Sequence, residues 1–372
     1  QEYTACAPVT MSVMGHEEER RFRLGLLLAG GGAKVRRLTA ALTPGADLIA
    51  GLAERGAASA LIDTASRLAE KEARAVIARA RGAGWRWMVP PDHEYPPLLS
   101  ATADPPLGLF VRGQLDGAAA VALVGSRKAT PYGQQVARLL GEELGRAGVV
   151  VVSGMARGVD AAAHQGALDA GGRSWAVWGT GPDRIYPPEH ADLSEALSSQ
   201  GALITEYPPG TPPRRHHFPE RNRILAGIAQ AVVVVEAAAR SGALITARLA
   251  MEEGREVLAV PGNIFSEVSV GPNTLLRVGA RPLLTPRDLF EAIGHEPGPA
   301  REEVEEDDVM QWVGAGEVVS LDEIAARSGE KIADVAGRVL ELELSGDLER
   351  RSDGRYARVR AFAPNSQETG GD

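Results

Sequence analysis

At 372 residues the chain has room for two or three domains and at least one sizeable core. Its one cysteine, Cys6, excludes a disulfide framework and a cysteine-rich zinc site, and no run approaches the ~20 apolar residues of a membrane span. A net charge of −9 argues against a nucleic-acid partner until it is divided: residues 301–372 hold 9 basic and 18 acidic residues, leaving 31 of each sign in the first 300. The larger body is therefore free to carry local basic patches, because net charge governs solubility and steering and not the sign of a given cleft. Only four lysines stand against 36 arginines.

No continuous apolar run precedes Leu24, and Glu17 to Arg23 is charged, so the start does not read as a secretory signal. A cytoplasmic protein is expected, with residues 1–21 a tail. Residues 22–82 are rich in Leu, Ala, Arg and Glu and read as a helical domain, SAM- or helix-hairpin-helix-like. The pattern breaks at Gly30-Gly31-Gly32 and resumes with Val35, Leu38, Ala41 and Leu42 at helical spacing. That triple glycine is either an ordinary turn or a phosphate seat at a helix N-terminus. It is not a dinucleotide fingerprint, since Val35 fills the last glycine position.

From Trp85 the texture changes to short apolar strands alternating with helices. VALV (121–124) runs into Gly125-Ser126-Arg127-Lys128, and VVVV (149–152) runs into Ser153-Gly154-Met155-Ala156-Arg157-Gly158. Between them Val136, Leu139, Leu140 and Leu144 share one helical face, which makes a βαβ unit and predicts a parallel sheet. Strands SWAVW (174–178), ALI (202–204), AVVVV (231–235) and EVLAV (256–260) follow, each ending in Gly, Ser, Thr, Glu or Pro. Residues 85–294 thus read as a doubly wound α/β domain, whose ligands gather at the carboxyl ends of the strands. Residues 295–306 read as a linker, and 307–361 as three helices plus a hairpin turning at Asp353-Gly354, a winged-helix pattern. Ser320 and Glu323 hold capping-box spacing there. Residues 362–372 read as a polar tail.

The densest chemistry lies in RRHHFPERNRI, which places Arg214, Arg215, Arg221 and Arg223 around Phe218 and Asn222. Arginine forks grip phosphate and stack on bases, and an exposed Phe can stack another, which is what a single strand of nucleic acid requires. The competing account is that Phe218 is core and that Arg221 and Arg223 pair with Glu. Strand-end loops add Gly125, Ser126, Arg127, Lys128, Arg157, Ser241 and Gly242 to the same edge. Ser153-Gly154 and Ser241-Gly242 each precede a helix, as phosphate seats or as plain N-caps. Asp160 and His164, at i and i+4, and Glu236 at a strand end are expected to make structural pairs, since no third metal ligand stands near in sequence. No set of residues assembles a nucleophile, a base and an orienting group, so no enzyme and no cofactor is expected.

The segments YPPLL (95–99), DPP (104–106), VALVGSRKATPYG, VVSGMARGVDAAAH, GTGPDRIYP, ITEYPPG, HHFPERNRILAG, VVVEAAARSGALITA, VLAVPGN and GPNTLLRVGA run in order over residues 95–280. Together they resemble the DNA-processing protein A family (DprA, also called Smf). The resemblance implies a helical domain, an extended Rossmann-like parallel sheet core and a C-terminal winged helix. It further implies a non-enzymatic protein that binds single-stranded DNA, dimerises through the Rossmann-like domain and loads RecA recombinase during natural transformation. By matching motifs it puts Arg127, Arg215 and Phe218 in the DNA pocket; by adjacency to these, Ser126, Lys128, Ser153, Gly154, Arg221, Asn222, Arg223, Ser241 and Gly242 are also expected there. Two positions depart from the pattern: Pro182 follows G-T-G where an apolar residue is common, and His190 replaces the usual Asn of Y-P-x-x-N. Two other classes compete with this reading. A phosphoribohydrolase of the lysine-decarboxylase-like fold lacks its motif here, because Pro261-Gly262 continues as Asn263-Ile264-Phe265-Ser266. A transcription regulator would work through residues 307–361.

Overall fold

The computed structural model of the chain describes residues 15–42, 47–295, 309, 312–314, 317–344, 348–351 and 353–358. Five helices come first: α1 (His16–Leu28), α2 (Ala33–Ala40), α3 (Leu48–Glu54), α4 (Ser59–Leu68) and α5 (Arg74–Gly82), the last two joined by a π-turn at Ala69–Ala73. α1 starts before the expected Phe22, because Glu17, Glu18 and Glu19 suit the positive end of a helix. Phe22, Leu26, Val35, Leu52 and Ile62 close a small core of their own.

A nine-stranded sheet follows, in the order β1-β2-β6-β5-β4-β3-β7-β8-β9. In chain order its elements are β1 (Arg86–Met88), α6 (Pro97–Ser100), β2 (Leu109–Gly113), β3 (Ala120–Val124), α7 (Pro131–Arg146), β4 (Val150–Ser153), α8 (Val159–Asp169) and β5 (Ser174–Trp178). Then come α9 (Ala191–Gln200), β6 (Ala202–Thr205), α10 (His217–Ile228), β7 (Ala231–Val234), α11 (Gly242–Glu252), β8 (Glu256–Ala259), α12 (Val270–Arg277), β9 (Arg281–Pro282) and α13 (Pro286–Ala292). The sheet is not wholly parallel: β2 runs against β1 and β6. The 89–108 link holds only the single-turn α6, so no crossover helix returns β2 in the direction of β1.

Alternate residues of the central strands feed two cores. Val121, Leu123, Val151 and Val233 pack under α7 and α8, while Ala122, Val150, Val152 and Val234 pack under α10 and α11. Each fully buried Val or Leu contributes about 1.5–3 kcal/mol by leaving water, which accounts for the unbroken apolar runs of strands covered on both faces. The strand order reverses between β3 and β7, so the loops after β3, β4, β5, β7 and β8 open on one edge.

Pro297–Asp372 forms a separate unit. It contains β10 (Val318–Val319), α14 (Leu321–Ser328), α15 (Ile332–Leu344), β11 (Leu348–Arg350) and β12 (Tyr356–Arg358), with strand order β10-β12-β11. Ser320 Oγ accepts from the Glu323 amide and Glu323 answers from the Ser320 amide, the expected capping box. Val319, Ile324, Val335, Val339 and Leu348 fill the core. The expected linker, first winged-helix helix and tail fall almost wholly outside the described residues.

Candidate nucleic-acid interface

Two glycine-dependent loops make the floor of the edge. After β4 the chain turns through Met155, whose φ of 54° is unusual for a residue with a side chain. Such a conformation persists only where its surroundings over-determine it. Here Asp160, buried on the first turn of α8, accepts the amides of Gly154 and Ala156 at 3.2 Å each. His190 donates Nδ1–H to the Met155 carbonyl at 3.0 Å. The residue that departs from the family pattern therefore has a polar task. Gly158, at φ 76°, brings the loop against the turn after β3: a Cβ there would lie 2.3 Å from the Ser126 carbonyl. Val159 donates its amide to that same carbonyl at 3.2 Å.

Above this floor stands the exposed part of the site. Arg127 projects from the β3–α7 loop with its Cζ 5.0 Å from the centre of the Phe218 ring, close enough for a cation–π contact. Phe218 lies on the first turn of α10 and packs against Tyr186 of the β5–α9 loop, ring centres 5.3 Å apart. Arg127, Gly154, Arg157, Tyr186 and Phe218 line one small hollow of about 20 Å³. Arg157 is exposed and pairs with Glu189. Arg214 and Arg215 stand exposed just before α10, and Lys128 stands exposed beside Arg127. Ser241 caps α11, its Oγ accepting the Ala243 amide at 3.3 Å, with Gly242 exposed after it. Arginine forks beside two aromatic rings form a surface whose chemistry suits phosphate on one side and a base on the other.

Other expected contact residues turn inward. Ser153 is fully buried and its hydroxyl pins β4 to the Leu123 carbonyl at 2.6 Å. The Gly154 amide is spent on Asp160, so it is not a phosphate donor. Gly125 packs against Val159 and the Glu236 carbonyl, and Ser126 Oγ accepts the Lys128 amide. Arg221 is 4% exposed and donates to the Val177 carbonyl at 2.6 Å. Burial lowers its guanidinium to about 10, so it stays charged at neutral pH. Its fork lies directly under Gly154, where a Cβ would meet Nη1 at 2.1 Å. Asn222 is buried and holds the Gly242 carbonyl at 3.1 Å. Arg223 pairs with Glu206 and donates to the Asp104 carbonyl at 2.7 Å. These residues shape the ledge from beneath, because their partners are carboxylates and carbonyls of the protein itself.

The titratable residues form structural pairs. His164 donates Nδ1–H to Ser174 Oγ at 2.7 Å, since that hydroxyl gives its own proton to the Val151 carbonyl. Burial pushes the His164 imidazole down to about 3, with His190 and Arg221 adding to the shift. Glu236 receives the amide and hydroxyl of Thr130 at the start of α7. Burial raises the Asp160 carboxyl against the pull of Arg221.

Tyr186 is the one residue of the hollow with an aromatic face that the sequence pattern does not single out, and Arg240 is a further exposed cation. Tyr186 sits in a proline-bounded turn with no periodicity, and its one signal is an aromatic at the end of GTGPDRIYP. Arg240 is exposed in the turn between β7 and α11. Replacing Tyr186 with Ala is expected to weaken single-strand binding by about 1–3 kcal/mol, the usual worth of a stacking ring. Tyr186→Phe should recover most of that loss in a fluorescence-anisotropy titration, and no recovery would deny the ring a stacking role.

Residues 86–294 match the family model described as DNA recombination-mediator protein A, and residues 293–354 match the DprA winged helix domain. The chain is 40% identical over 291 residues to Protein Smf of Escherichia coli, covering 73% of this chain and 77% of that protein. It is 41% identical over 313 residues to the putative DNA processing protein DprA of Mycobacterium tuberculosis, covering 77% and 80%. Among solved structures, DNA processing protein A from Streptococcus pneumoniae superposes with a TM-score of 0.63 at 32% identity, over 73% of this chain and 97% of that one. The Helicobacter pylori protein, described by its single-stranded DNA binding mode, superposes with a TM-score of 0.50 at 27% identity, over 56% and 95%. On these matches, the chain belongs to the DNA recombination-mediator protein A family, the DprA or Smf proteins.

Proposed function

We propose that this protein is a single-stranded DNA-binding recombination mediator that performs no catalysis. In this reading it acts in the cytoplasm, protects incoming strands and loads RecA recombinase onto them during natural transformation. The observation that carries the proposal is the Arg127 guanidinium set over the Phe218 ring beside Tyr186, with Arg215 exposed before the same helix. An aromatic face is useful only to a base that has left its stack, so the site favours single strands over duplex. The exposed Ile264, Phe265, Val278 and Leu284 on the β8–β9 flank support a homodimer formed through the Rossmann-like domain.

The test is binding of a dT oligomer and of a duplex of equal length across a salt series. The single strand should bind more tightly, with log affinity falling by about 0.7 per phosphate contact for each unit of log salt. A flat salt response, or duplex binding as tight as single-strand binding, would sink the proposal. A monomer in light scattering at micromolar concentration would remove its dimer clause.

A further inference from the structure

A groove of about 510 Å³ lies outside the site just described, between the start of α1, the end of α5, β1 and the turn at 91–94. Its charged lining includes Arg20, Arg81, Arg86, Asp92 and Glu94, with His16 and His93 at the rim. Both carboxylates are committed. Asp92 takes Arg20 at 3.2 Å, His16 at 2.8 Å and the Val89 amide at 2.9 Å, and Glu94 pairs with Arg86. Arg20 is also anchored to the Trp87 carbonyl. Arg81 is exposed and has no ion pair among the described residues, and the same holds for Arg74. Seven residues apart, these two stand on one face of α5, about 10.5 Å from each other along its axis. The helix dipole accounts for a cation in the last turn, where Arg81 sits, but not for Arg74 two turns earlier.

The topology sets one end of this groove, the turn at 91–94, on the side of the DNA ledge, while Arg81 and Arg86 stand at the amino end of β1 and Arg74 lies two turns back along α5. β1 is antiparallel to β2, and β2 is antiparallel to β6, so β1 runs in the direction of β5 and β6. The turn after β1 therefore opens on the same edge as the loop carrying Tyr186, three strands and about 14 Å away. Trp87 is 1% exposed, so its indole is closed to a base, and the groove's exposed rings are the imidazoles of His16 and His93.

We infer that the groove and Arg74 form a second contact surface for a polynucleotide, gripping the phosphates of the stretch that flanks the bases held at Phe218. This inference rests on the proposed single-strand binding. The experiment uses the full chain and two dT oligomers, one just long enough to saturate the Arg127–Phe218 site and one several times longer. In the Arg74→Glu, Arg81→Glu double variant the short oligomer should bind within twofold of the parent. The long one should lose affinity, and its log–log salt slope should become shallower by about 1.4, the loss of two single-strand contacts. Unchanged long-oligomer binding overturns the inference, and so does an equal loss at both lengths, which marks a diffuse charge effect. Should the double glutamate fail to fold, as judged by its melting curve, Arg74→Gln with Arg81→Gln gives the same comparison. Failure of the parent protein to bind either oligomer would instead bring down the underlying single-strand reading.

Discussion

Arg127→Glu is expected to reduce affinity for a dT oligomer by about a hundredfold, and Arg127→Glu with Arg215→Glu by more. The change removes a phosphate cation, puts an anion in its place, and leaves the Phe218 ring without its guanidinium. Phe218→Ala should cost about 1–3 kcal/mol through lost stacking. Because Arg127 and Phe218 touch, their losses should not add, and a double-mutant cycle should return a coupling of about 0.5–3 kcal/mol. Each lost phosphate contact should also flatten the single-strand salt slope by about 0.7. Full binding by Arg127→Glu would end the assignment of this edge as the interface. Additive losses would separate the two residues without moving the site.

Arg221→Met should act through a different quantity. Removing one member of a buried charge pair typically costs about 3–5 kcal/mol, because the remaining charge is left without compensation. Arg221 is the cation beside the buried Asp160 and holds the Val177 carbonyl, so urea unfolding should report a loss in that range. The raised Asp160 carboxyl tempers the loss, since the group can take up a proton once its partner is gone. Single-strand affinity should fall as the floor beneath Gly154 shifts, yet the salt slope should stay at the parent value. A flattened slope with unchanged stability would show Arg221 to be a phosphate ligand after all.

Strands and loops were legible in the sequence because a strand covered on both faces must be apolar throughout, and VALV, VVVV and SWAVW leave no alternative. The edge to which Arg127 and Phe218 belong follows from the parallel βαβ units alone. Direction was harder to read at β1 and β2, where a proline-rich link with one helical turn replaces the crossover. The inward fate of Arg221 and Arg223 was not legible either. An arginine run looks the same whether it faces solvent or carboxylates: Asp160 and Asp104 lie far from it in the chain, and nothing in the spacing marks Glu206, eight residues before Arg214, as the partner of Arg223. Arg221, Asn222 and Arg223 act by positioning, since they hold β5, α11 and the 104–106 turn. His190 shows that a substituted motif position can keep a polar task, because an imidazole Nδ1 reaches the Met155 carbonyl much as an amide side chain would.

The carboxylate of Asp160 takes, from inside the protein, two amides of the β4–α8 loop that a guest anion could otherwise use. That loop therefore supplies shape and stiffness, with the Gly154 and Ala156 amides already spent inside the protein. On the proposed function, a strand resting there would be held by long, solvent-facing arginines such as Arg127 and Arg215, each able to let go singly, and could be peeled off from one end. A protein that must surrender its cargo to another machine is well served by such a hold, since release needs no remodelling of the fold.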